Sequence, residues 1–117
     1  MIRGNTKAIL QIRNTDSKNE IGERVETWNN VINLKGWLDY INGEAGYSTF
    51  NAKVEESSHL FICDYSESIK VALEGVTSEN SRMTINNSVY DVLFIDNPME
   101  LNQQYEIYLK KVGNNGW

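Results

Sequence analysis

This chain of 117 residues contains one cysteine, one histidine and one proline. Cys63 alone permits no intrachain disulfide. It lies in the apolar run Leu60-Phe61-Ile62-Cys63-Asp64-Tyr65, where a small buried hydrophobe is expected rather than a reactive thiol. His59 alone would have to carry any catalytic triad or histidine-based metal site. Zinc needs clustered Cys and His; His59 and Cys63, four apart on an expected strand, share a face but are too few. Calcium needs alternating carboxylates within one loop. Asp16, Glu20 and Glu23 are dispersed, as are Glu44, Glu55 and Glu56. Glu55 and Glu56 could be an acid pair for hydrolysis, but adjacent residues on a strand point to opposite faces. Gly43-Glu44-Ala45-Gly46 precedes neither a helix nor a Lys-Ser/Thr pair, so it is no phosphate loop. Ser58 or Thr49 meeting His59 and Asp64 is the one nucleophile arrangement left open, and nothing in the sequence favours it. The sequence therefore predicts no enzyme, no cofactor and no metal.

An excess of positive charge is also missing. The formal net charge is −5, and of the eleven Lys and Arg only Lys110 and Lys111 are adjacent. Non-specific nucleic-acid binding depends on cations neutralising phosphates, so tight DNA or RNA binding is not expected. An acidic wall past which DNA slides is compatible with this charge. No apolar run is long enough to span a bilayer. Residues 1–7 lead into a strand pattern without an apolar signal core, which predicts folding in the cytosol. The length suits one domain, and the 40% hydrophobic and 23% charged fractions suit a folded one.

What is present is alternation. Ala8, Leu10 and Ile12 alternate with Ile9, Gln11 and Arg13, a first strand. Residues 14–22 are a polar turn. Residues 24–40 read as a long strand with Gly36 as a bulge or bend. Residues 60–65 are apolar on both faces, a central strand. Ile69 to Leu73 fits a short strand or a helical turn ended by Gly75, and residues 77–81 fit a capped turn or a short helix. Met83 to Ile85 and Val89 to Ile95 form a hairpin around Asn86-Asn87, because Asn tolerates positive φ. Asp96-Asn97-Pro98 is a turn. Residues 104–112 are the last strand, with Tyr105, Ile107 and Leu109 on one face, and 113–117 are expected to be a flexible tail. The prediction is an all-β domain: a small antiparallel barrel of about six strands with at most one short helix, closure being the economical way to hide strand edges.

One segment breaks this economy. Between Tyr40 and Leu60 lies a connection longer than the ~12–15 residues that compact domains usually leave structureless. It contains Gly43, Glu44, Gly46, Tyr47, Phe50 and Lys53. Trp28, Trp37, Tyr90, Phe94, Tyr105 and Tyr108 have strand periodicity and read as packing residues. Tyr47 and Phe50 lie outside any strand, as does Trp117, and exposed aromatics in such places anchor interfaces.

The order of these segments resembles the head–tail joining proteins of tailed bacteriophages, the head-closure or stopper connectors. The likeness spans roughly residues 7–112. It rests on Glu26-Thr27-Trp28 leading into a long strand, the long loop, Leu60 to Tyr65, Arg82-Met83, Val89-Tyr90-Asp91-Val92, and the final Tyr105 to Leu109 strand. Asn86-Asn87 departs from the commoner Asn/Asp-Gly turn, and residues 67–74 form a longer segment than usual. The resemblance implies a small β-barrel that assembles into a homo-oligomeric ring beneath the portal and its adaptor. The ring would close the DNA-filled head and offer a surface to the tail-completion protein. Residues 40–53, with Tyr40, Gly43, Glu44, Gly46, Tyr47, Phe50 and Lys53, would face the channel or a neighbouring subunit and help block it. DNA would pass without specific binding, and no membrane or cofactor would be involved. The protein would be a virion component assembled in the host cytoplasm. The alternatives are a related tail-completion or tail-terminator protein and, from another class, an OB-like barrel that binds single-stranded nucleic acid through aromatic platforms on a basic face.

Overall fold

The computed structural model describes residues 6–14, 20–22, 27–40 and 57–114. Its strands are β1 (Thr6–Asn14), β2 (Thr27–Tyr40), β3 (His59–Asp64), β4 (Ser81–Ile85), β5 (Ser88–Asp96) and β6 (Gln104–Asn114). All neighbours are antiparallel, and the sheet closes on itself in the order β1-β2-β3-β6-β5-β4. A closed sheet leaves no row of unpaired backbone groups for another strand to find.

Alternation decides which side chains fill the barrel. Ala8 and Leu10, Phe61 and Cys63, Met83 and Ile85, Tyr90 and Val92, and Tyr105, Ile107 and Leu109 point inward and are buried. A helix, α1 (Glu67–Leu73), follows β3, and Ile69, Leu73 and Val76 add to the core. Ser66 caps α1, its hydroxyl accepting the Ile69 N–H at 3.1 Å. Gly75 ends the turn after α1 in the left-handed region, φ 84°. The segment that admitted a strand or a helical turn is thus a helix, decided by its cap and by the core it covers.

Closure needs coil, and three extra residues supply it. Leu10 pairs with Ile32 and Gln11 with Asn30, leaving Val31 as a bulge in β2. Leu93 bulges between Val92 and Phe94, and Val112 between Lys111 and Gly113. Bulges bend a strand and raise its twist, which a small barrel requires. The expectation of a bulge at Gly36 is corrected: Gly36 stays in register, between Thr6 and Cys63. Glycine is needed there for room, since a Cβ would collide with the Ile62 carbonyl oxygen. Asn86 and Asn87 both have positive φ, 50° and 66°, the geometry of a tight type I′ hairpin turn. β6 runs to Asn114, so Gly113 and Asn114 pair with Val89 and Ser88 rather than opening the tail.

Candidate functional site at the barrel rim

The long connection leaves the barrel at Tyr40 and rejoins it at the residues before β3. Tyr40 and His59 are direct cross-strand partners. Residues 41–56 therefore join two points that the sheet already holds together. Tyr40 is 77% exposed. Of the residues singled out in the connection it alone is described; Gly43, Glu44, Gly46, Tyr47, Thr49, Phe50 and Lys53 lie outside the described residues, as does Trp117.

His59 is held between two rings. Tyr40 meets it edge-on at 5.4 Å between centroids, and Tyr90 meets it at 5.1 Å with planes 74° apart. Ser58 meets its ring nitrogen. The Lys111 N–H donates to Ser58 Oγ at 2.9 Å, and Ser58 Oγ lies 2.9 Å from His59 Nδ1. Ser58 Oγ also donates to the Leu109 carbonyl at 3.5 Å, which accepts the Ser58 N–H at 2.8 Å. Burial lowers the His59 pKa, and the nearby Lys111 charge lowers it further.

The one nucleophile arrangement left open by the sequence is half assembled. Ser58 meets His59, but Asp64 ends the same strand on the opposite, outer face, paired with Gln104. Cys63 shares the inner face with His59, as expected, and is buried with its thiol pKa pushed up to about 11, by burial first and Asp64 second. Among the described residues no group of three His, Cys, Asp or Glu could hold a metal ion. No helix is long and apolar enough to cross a membrane among them.

The outer wall carries two further features. Across β2, β1 and β4, Gln11 Nε2 donates to Asn30 Oδ1 at 2.8 Å, and Arg82 Nε donates to Gln11 Oε1 at 2.7 Å. The Arg82 guanidinium lies over Trp28, 4.2 Å from the ring centroid. Across β2, β3, β6 and β5 runs an apolar strip: Trp37 beside Ile62, Leu60 beside Tyr108, and Tyr108 against Phe94. Trp37 is 49% exposed, whereas Tyr108 is buried. Periodicity identified these aromatics as sheet-face residues. Which strand each would meet, and that Tyr90 would reach the rim, was not readable, because cross-strand register is not a local property. A scan against protein-family models and a search of curated proteins give no match to this chain.

Proposed function

We propose that this barrel is a structural virion protein, a subunit of the ring that joins head and tail in a tailed phage or prophage. One observation carries the reading: a closed barrel whose longest connection begins and ends on a directly paired rim, Tyr40 and His59. Such a barrel can fold around its own core and present residues 41–56 as an addition to it. The segments behind the resemblance support it in a specific way. Arg82 and Met83 face Asp91 and Tyr90 across one hairpin, so the shared pattern is a packing unit of the barrel wall. In this reading residues 40–53 face the channel, DNA passes an acidic protein without being gripped, and the partners are the portal and adaptor above and the tail-completion protein below. The chain acts without a cofactor, in the virion, after assembly in the host cytoplasm.

The test deletes residues 43–50. The barrel is expected to keep its cooperative unfolding transition. Particles assembled with it should leak DNA or fail to join tails, and negative-stain images of portal–adaptor complexes should show the intact chain bound beneath them. Full infectious yield from the deleted protein would remove the channel role. An intact chain that never binds portal–adaptor complexes would remove the connector reading itself.

A further inference from the structure

Among the described residues the left-handed region of the backbone is occupied in two ways. At Gly22, Gly75, Asn86, Asn87 and Asn102 it is held by the residue types that accept it most readily. At Met99 and Glu100 it is not. These two have φ of 53° and 54° and stand side by side in the connection between β5 and β6. Neither has a short polar side chain to bond its own backbone, so each holds this conformation at a cost in stability.

The connection is clipped into this shape. Asn97 Nδ2 donates to Asn102 Oδ1 at 2.8 Å, and the Asn102 N–H donates back to Asn97 Oδ1 at 3.1 Å. The Glu100 N–H donates to the Asn97 carbonyl at 2.8 Å, and the Leu101 N–H to the Pro98 carbonyl at 3.2 Å. At the base, the Tyr65 N–H donates to the Gln103 carbonyl at 3.1 Å, which ties the connection to the residue after β3. What the clip holds out is apolar. Met99 is 87% exposed and Leu101 59%. Glu100, exposed between them, gives the tip a negative charge. Strain that gains no burial inside the barrel points to a contact outside it. β3 runs from His59, beside Leu109, to Asp64, beside Gln104. The tip thus lies at the end of the barrel opposite the Tyr40–His59 rim.

We infer that Met99 and Leu101 form a preformed apolar plug for a protein other than this chain, one whose surface offers an apolar socket with a cation at its rim for Glu100. A clipped tip avoids the ordering cost that a loose loop meets on binding. Methionine suits the centre of such a contact because its unbranched side chain adapts to the socket. The plug is argued from the barrel alone. The choice of partners to test, the portal–adaptor complex and the tail-completion protein, rests on the connector reading.

The experiment measures binding of the full chain and its variants to immobilised portal–adaptor complexes and, separately, to the tail-completion protein. Met99→Gln and Leu101→Gln should each weaken binding to one of these about 10-fold or more. Glu100→Lys should weaken it too, and added salt should weaken the wild type more than Glu100→Gln. Met99→Gly separates docking from folding. Relief of the left-handed conformation should raise the thermal midpoint by about 2–5 °C, net of the greater freedom of glycine in the unfolded chain. Loss of the side chain should nevertheless weaken binding as much as Met99→Gln does. A midpoint that falls instead overturns the inference. So do variants that all bind both partners as tightly as the wild type, and in that case the connector reading stands. A wild-type chain that binds neither partner removes the connector reading and this plug together. Each variant is also run alone in sedimentation velocity. Self-association of the wild type that Met99→Gln abolishes would make a second copy the occupant and overturn the assignment to another protein.

Discussion

Gly36 and Ile62 are held so close that the β2–β3 seam has no room for a side chain: a Cβ on Gly36 would enter the Ile62 carbonyl oxygen and crowd Cys63 Cβ at 3.1 Å. The neighbour is backbone in the middle of a closed sheet and cannot swing aside. Gly36→Ala is therefore expected to destabilise the barrel by about 2–3 kcal/mol, in the range of overpacked cores. The shift of the urea midpoint, at unchanged slope, measures it.

His59 makes stability depend on pH in a defined direction. Its folded pKa is lowered from 6.5, by burial first and Lys111 second. The unfolded chain therefore takes up the proton more readily, and stability rises with pH across the window between the folded value and 6.5. This contribution is complete above 6.5 and is lost as pH falls below it. His59→Gln should flatten that part of the pH–stability curve. Lys111→Gln should move the His59 titration, followed by NMR, back towards 6.5 without breaking the backbone hydrogen bond to Ser58.

Arg82 joins three strands through a ring and an amide. Arg82→Ala is expected to cost about 1–2 kcal/mol, from the contact with Trp28 and the hydrogen bond to Gln11. Arg82→Lys should recover little, because an ammonium cannot lie flat on the indole while donating from the position of Nε. Denaturant midpoints of the two variants make the comparison.

The β4–β5 turn rests on two asparagines in the left-handed region. Asn87→Ala should cost roughly 1 kcal/mol, the penalty of that conformation for a residue with a Cβ and no local hydrogen-bonding group. Asn87→Gly should be tolerated or stabilising, since Asn-Gly is the preferred pair for this turn. Thermal midpoints distinguish the two.

Much of the barrel was legible one strand at a time. Leu10, Met83 and Ile107 each lie in a period-2 pattern, and that pattern alone assigns them to the interior. Asn86-Asn87 announced its turn because few residues accept positive φ. Gly36 was legible as special but not for its reason, since a bulge and a close backbone approach both select glycine. The rim was legible only in part. The length of the connection after Tyr40 marked it as a candidate site, while the ring contacts of His59 with Tyr40 and Tyr90 depend on strands β2, β3 and β5 meeting at one end.

By itself the sequence determined that the chain is mostly extended segments with alternating faces, and that no cluster of cysteines or histidines is available for chemistry. The tertiary structure decided who faces whom. Lys7 meets Lys35, Asp96 meets Glu106 and Arg82 covers Trp28 because the registers, shifted at Val31, Leu93 and Val112, bring them together as the sheet closes. Alternation is a property of neighbours along the chain. Register in a closed barrel is fixed by all six strands at once, so the pairs that meet across its strands are visible only after closure.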